Sequence, residues 1–106
     1  MNNFSDMLSK AKAMQEKMKE AQEQIKKIEV EGMSGGNLVK VTLSGDYELK
    51  SIEISNEAKK ESQEIINDLI IAAYNNAKEN LKKKSSEEIS KVTGGINLPF
   101  DIKFPS

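Results

Sequence analysis

Non-polar residues fall at Phe4, Met7, Ala11, Met14, Met18, Ala21, Ile25 and Ile28, at intervals that alternate between three and four. This is an uninterrupted heptad seam, and its period demands a helix over residues 5–28. No glycine or proline breaks that stretch. Ser5 suits an N-cap and Asp6 the first turn, where an acid meets the positive end of the helix dipole. At about 1.5 Å per residue the helix is roughly 36 Å long. A helix that covers a globular core normally carries a wider stripe. Here the flanking positions, Leu8 apart, are Lys10, Gln15, Lys17, Gln22 and Gln24. A stripe this narrow is shaped to meet another helix. It is also weak, because five of its eight positions are Ala or Met. Ala buries little area and Met fills gaps without specifying a geometry, so another element must hold the helix in place.

After Ile28 the period changes from 3.5 to 2. Ile28 to Glu31 reads as a strand that Gly32-Met33-Ser34-Gly35-Gly36 ends. Asn37 to Ser44 reads as a second strand with Val39, Val41 and Leu43 on one face. Gly45-Asp46 is a two-residue hairpin signal, and Tyr47 to Ile54 follows as a third strand with Ile52 and Ile54 turned inward. The expected result is a three-stranded antiparallel meander whose non-polar face needs a helix over it. Ser55 to Lys60 is a polar connection. A second long helix starts near Glu61, with Ile65, Ile66, Leu69, Ile70, Ala72, Ala73, Ala77 and Leu81 on a broad non-polar side. Ile71 and Tyr74 widen it enough to meet a second subunit. Ser85-Ser86-Glu87-Glu88 matches a capping box, so the helix either restarts there after a kink or runs on to about Val92. Thr93-Gly94-Gly95 ends it, leaving a non-polar tail, Ile96 to Ser106, with two prolines. The fold class is α+β in one domain over 1–106: helical arm 1–28, sheet 29–54, long helix 61–92 and tail 93–106.

The absences narrow the chemistry. Cysteine, histidine and arginine do not occur, and all 16 positive side chains are lysine. That removes thiolate chemistry, the usual zinc ligands and the commonest general base. It also removes the planar fork that reads guanine. Gly32-x-x-Gly35-Gly36 joins strand to strand and therefore lacks the helix that a phosphate loop opens. Glu64 with Asp68, and Glu87 with Glu88, lie on expected solvent faces with nothing to desolvate them. The chain reads as a non-enzyme without metal, cofactor or small-molecule substrate. It has no run of 18 non-polar residues to span a membrane and no signal-peptide layout, which points to the cytoplasm.

Charge is unevenly placed. Residues 1–28 carry six lysines against four acids, residues 29–77 four against nine, and residues 78–91 five against three. The two helical segments are therefore mildly basic around an acidic middle.

In four stretches the chain resembles the YbaB/EbfC family of bacterial nucleoid-associated, DNA-binding proteins. They are Met7 to Met18, Glu29 to Val41, Asn67 to Ala77 and Lys91 to Pro99, in that order and at matching spacing over nearly the whole length. The resemblance implies an intertwined homodimer with helical arms projecting from a sheet platform. It implies binding to double-stranded DNA with loose or no sequence preference, in association with the nucleoid. Carried onto this sequence, the family's DNA-contacting helices bear Lys10, Lys12, Lys17, Lys19, Lys26 and Lys27 at one end of the chain. At the other they bear Lys78, Lys82, Lys83, Lys84 and Lys91. The missing arginines, the polar connection at 56–60 and the Phe-Asp-Ile-Lys-Phe tail depart from the family pattern.

Candidate dimer contacts are Val39, Val41 and Leu43 on the sheet, with Ile66, Leu69, Ile70, Ala73 and Tyr74 on the second helix. Lys12, Lys19 and Lys26 share one heptad position, and Lys10 and Lys17 line the opposite flank. Such rows of point charges suit phosphates. The competing reading is a coiled-coil module that grips a protein through its Met-rich seam without touching DNA.

Overall fold

The computed structural model describes residues 3–93. Helix α1 spans Asn3–Lys26, strands β1, β2 and β3 span Glu29–Ser34, Val39–Ser44 and Leu49–Ile54, and helix α2 spans Gln63–Thr93. The sheet is an antiparallel meander in the order β1-β2-β3. These elements are the expected α+β set. The tail from Ile96, and the glycine pair after Thr93, lie outside the described residues.

Several boundaries move, each for a local reason. α1 begins at Asn3, so Ser5 sits inside the first turn instead of capping it. α2 begins behind Ser62, whose Oγ accepts the Ile65 N–H at 3.3 Å, and it runs as one helix through the capping-box residues. The polar connection before it contains a turn of 3-10 helix, Ala58–Lys60. Ser55 Oγ accepts the Ala58 N–H at 3.1 Å, and Ala58 is fully buried.

β1 does not stop at Gly32 but runs through it to Ser34. Gly35 and Gly36, at φ 57 and 75, make the turn. Gly32 serves close packing instead. A Cβ there would collide with the backbone N of Ala77 and the carbonyl oxygen of Ala73, so α2 crosses β1 with backbone nearly on backbone. The hairpin after β2 is also not the expected two-residue turn. Ser44 O accepts the Tyr47 N–H and Ser44 N donates to Glu48 O, both at 2.9 Å, which closes a three-residue loop. The left-handed residue is Tyr47, at φ 64, the position that such a loop leaves in the αL region. Gly45 is required for another reason. A Cβ on it would strike the carbonyl of Ile25, and its N–H bonds Ile28 O at 2.9 Å. The hairpin tip thus docks on the end of α1.

The core is Val30, Val39, Val41, Leu43, Ala58, Ala73, Ala77 and Leu81. Its largest fully buried side chains, Leu43, Leu81, Val39 and Val41, each contribute about 1.5–3 kcal/mol by burial. The buried positions of α2 are Ala73, Ala77, Leu81, Ser85 and Ile89, every fourth residue. At about 100° per residue such a row winds around the helix by about 40° per step. Its first half therefore faces the sheet and its second half faces α1. α2 packs over β1 and β2, which leaves β3 partly uncovered. Ile52, expected inside, is 40% exposed, and Leu49 is 49% exposed.

The helix crossing gives a pair of stability predictions. Gly32→Ala forces two backbones apart and is expected to cost about 3 kcal/mol or more. Gly36→Ala, where an added Cβ meets nothing within 4 Å, carries only the conformational cost of about 1–2 kcal/mol. Urea denaturation of the two variants checks both the order and the gap.

Candidate nucleic-acid interface

The seam of α1 is divided by its surroundings. Toward its C-terminal end Ala21 is buried, with Ile25 and Ile28 half-buried. There α1 packs on α2 of the same chain: Ala21 lines one cleft with Glu88 and Val92, and Ile25 lines the next with Ser85 and Ile89. As α1 advances from 21 to 25, its neighbours on α2 step back from 92 to 85, so the two helices run antiparallel. Toward the N-terminus Met14 and Met18 are half-buried and Phe4, Met7 and Ala11 are exposed. The facing helix is thus the chain's own, and it covers only one half of the seam.

All the α1 lysines, Lys10, Lys12, Lys17, Lys19 and Lys26, are exposed, as is Lys27 just beyond the helix. Residues seven apart are two turns apart, about 10.5 Å. The Lys12, Lys19 and Lys26 row therefore covers about 21 Å, the length of roughly six nucleotides of one strand at about 3.4 Å each. The rest of that flank is Leu8, Gln15 and Gln22, while Glu16, Glu20 and Glu23 lie on the back of the helix, away from the seam. Glu20 and Glu23 also meet Glu88 around the cleft beside Ala21. That gathers negative charge where α1 and α2 join, within one helical turn of Lys19 and Lys26.

α2 does not assemble its lysines into one patch. At about 100° per residue Lys78 and Lys82 share a flank, Lys83 is on the back, and Lys84 falls near Lys91. Lys91 is bound to Glu88 at 3.2 Å. Among the described residues the only other lysines in ion pairs are Lys40 and Lys50. All the α1 lysines and Lys78, Lys82, Lys83 and Lys84 thus have no described carboxylate within 4 Å and are available for an anion.

Lys40 shows the contrast. It lies on the outer face of the sheet between Glu53 at 3.2 Å and Glu31 at 3.4 Å. Its hydrogen bonds to Glu53 and then Glu31, with their charges, hold the ammonium above its ordinary value of 10.5. Already neutralised, it is a poor phosphate ligand.

Of the residues assigned to a dimer contact, Val39, Val41, Leu43 and Ala73 are fully enclosed within one protomer. Their area is used under the chain's own α2, a correction to the reading of them as intersubunit residues. Ile66, Leu69, Ile70 and Tyr74 are half-buried, and Ile65 and Ile71 are 45% and 59% exposed. Sequence reasoning missed the use made of Asn76 and Asn80. Asn76 Oδ1 accepts the Met33 N–H at 2.9 Å and Asn80 Nδ2 donates to Glu31 O at 2.8 Å. Both groups belong to the edge of β1 that β2 does not pair. The available signal was their spacing of four, which puts both amides on one flank of α2.

No grouping of three or more metal-ligating side chains is present among the described residues, and no described helix is long and apolar enough to cross a membrane. The described residues thus form an α+β scaffold with a charged helical arm. The sequence profile of the YbaB/EbfC DNA-binding family matches residues 1–96, and the chain belongs to that family. A nucleoid-associated protein of Granulibacter bethesdensis is 40% identical over 106 residues, 99% of each chain. One from Francisella tularensis subsp. tularensis is 43% identical over 107 residues, covering 97% of this chain and 96% of that one. The crystal structure of an uncharacterized Helicobacter pylori protein, 20% identical, shares the fold with a TM-score of 0.70, over 87% of this chain and 98% of that one.

The Lys40 cluster has a definite pH signature. A lysine whose folded pKa is raised stabilises the fold below its unfolded value and loses that contribution as pH rises through the folded value. Thermal unfolding is expected to show stability falling as pH passes above 10.5, and Lys40→Gln is expected to lack that component of the fall.

Proposed function

We propose that the chain is a non-enzymatic nucleoid-associated protein that binds duplex DNA as a homodimer. The observation that carries this reading is the row of exposed lysines at 12, 19 and 26 on a long arm, with no described acid paired to them. Lys10, Lys17 and Lys27, with Lys78, Lys82, Lys83 and Lys84, add further charge, whereas Lys91 is partly compensated by Glu88. Lysine offers phosphates a point charge without bidentate base recognition, so loose or absent sequence preference is the expected outcome. The relatives' name, nucleoid-associated protein, is carried to this chain as part of the same proposal. With it goes a cytoplasmic place on the nucleoid, where the arms bridge or coat DNA.

The homodimer is supported by unspent apolar surface. Ile65 and Ile71 on the first turns of α2 and Leu49 and Ile52 on β3 are exposed, and Ile66, Leu69, Ile70 and Tyr74 border them. The described structure stretches 72 Å by 23 Å by 18 Å and encloses little core of its own, and a second copy supplies cover.

Two measurements test the pieces separately. About five lysine–phosphate contacts give a log–log salt slope of affinity of about −4.5. Lys12→Glu, Lys19→Glu and Lys26→Glu together are expected to lower affinity at least about 100-fold at low salt and to flatten the slope by about three, with Lys40→Gln near the parent. A flat salt dependence in the parent excludes the DNA reading. Sedimentation is expected to find a dimer at micromolar concentration and a monomer after Ile52→Asp with Ile71→Asp. A monomeric parent removes the dimer.

A further inference from the structure

The free end of α1 exposes three large apolar side chains together. Phe4, Met7 and Leu8 are 74%, 66% and 55% exposed, and at about 100° per residue they share one face of the helix. Lys10, the i+3 neighbour of Met7, borders that face on one side. Lys12, the i+4 neighbour of Leu8, borders it on the other, and both lysines are exposed. Asp6, the acid of this first turn, falls on the opposite side of the helix. The dimensions of the molecule put this patch at one pole. α1 and α2 run antiparallel, and Ala21 and Val92 line the same cleft. From that level Phe4 lies about 26 Å away in one direction and Gln63 about 44 Å in the other, at roughly 1.5 Å per residue. Together these lengths account for the 72 Å extent of the described structure. The apolar surface assigned to a second copy, on β3 and the first turns of α2, lies beyond the foot of the arm and does not reach Phe4.

We infer that Phe4, Met7 and Leu8 form a wedge that enters the minor groove of duplex DNA and parts a base step, a step that rests on the DNA-binding reading above. Charge selects this occupant. An apolar patch with an ammonium group on each side, and its nearest acid turned away, fits an apolar slot between two anionic walls. A minor groove opened at one base step is such a slot, with base faces inside and phosphates along both rims. Phe, Leu and Met are among the side chains that part base steps in this way, and the result is a kinked duplex. Lys10 and Lys12 then hold the phosphates to either side, and Lys19 and Lys26 continue along the arm from Lys12. A second α1 in antiparallel contact is opposed by charge, because it sets Lys10 and Lys17 against their own copies. Lysine contacts thus position the arm, and its apolar tip deforms the DNA.

The test uses the full-length protein and a short duplex whose TA steps, which unstack readily, carry 2-aminopurine in place of adenine. Its fluorescence rises when the base loses its stack. The parent is expected to raise it at least about twofold at saturation. Phe4→Ala with Met7→Ala keeps the arm helical, because alanine is the best helix former. This variant is expected to lose most of the rise while keeping the parent's log–log salt slope, which counts phosphate contacts alone. The chain contains no tryptophan, so a single one reports directly. Phe4→Trp is expected to be quenched at least about twofold by stacking on bases, whereas Ser9→Trp, on the back of α1, is expected to stay near its free intensity. A parent that binds with its salt slope but leaves 2-aminopurine unchanged overturns the wedge, leaves the DNA reading standing and assigns the patch to a protein partner. A full rise in the double variant, or equal quenching at both tryptophan sites, also overturns it. A parent that does not bind DNA removes both readings.

Discussion

The close crossing of α2 over β1 sets the geometry of everything else. It depends on three small residues, Gly32 below and Ala73 and Ala77 above, which let helix and strand meet at backbone distance. At that separation helix side chains reach the edge of the strand. Asn76 and Asn80 take up the Met33 N–H and the Glu31 carbonyl, and Ser34 Oγ donates to Leu69 O at 2.6 Å. An open strand edge invites further strands. Here one edge is closed by the same helix that covers the face, which leaves β3 as the edge exposed to other chains.

That crossing also dictates the placement of the arm. Because the buried row of α2 winds as it goes, the face that meets the sheet at Ala73 has turned by Ser85 and Ile89 to meet α1. The hairpin tip completes the joint, with Gly45 pressed against the last turn of α1 at Ile25. α1 is thus held at its C-terminal end by a helix and a turn, and its first half projects. The weakness of its Ala/Met seam is consistent with this arrangement, since the joint and not the seam fixes its direction.

How much of this was legible depended on whether the signal was periodic. The two helices, the three strands and their antiparallel order could be read because 3.5- and 2-residue periods are set by one element's own burial. What could not be read was set by the angle between elements. Ile52 alternates correctly with Ile54 yet stays 40% exposed, because α2 lies over β1 and β2. Gly32 looked like a strand breaker, since the sequence does not show a helix crossing above it. Tyr47 is the left-handed residue of a three-residue loop where a two-residue turn at Gly45-Asp46 was expected, because the approach of Gly45 to Ile25 leaves no trace in the local pattern. The assignment of Val39, Val41 and Leu43 to a partner failed for a related reason. A pattern reports that a face is buried, not which chain buries it.

The lysines follow the same logic at the level of charge. A count shows two basic segments, but the value of each lysine depends on its neighbours. Lys40 sits between two glutamates and Lys91 beside one, whereas Lys12, Lys19 and Lys26 face solvent with no described carboxylate within 4 Å. A net charge of −1 is therefore no obstacle to an anionic partner. Acids gather on the sheet's outer face around Lys40 and in the cleft where α1 meets α2, while Glu16, Glu20 and Glu23 share α1 with the lysines. A Debye length of about 8–10 Å at physiological salt exceeds one helical turn, so a phosphate approaching α1 senses the lysines together with the glutamates beside them, and its binding rests on direct contact with the ammonium groups. The joint at the base of α1 and the exposure of its lysines therefore have one cause: an arm held only at its foot leaves Lys10, Lys12, Lys17 and Lys19 open to solvent along its length, with Lys26 at the foot beside Asp46.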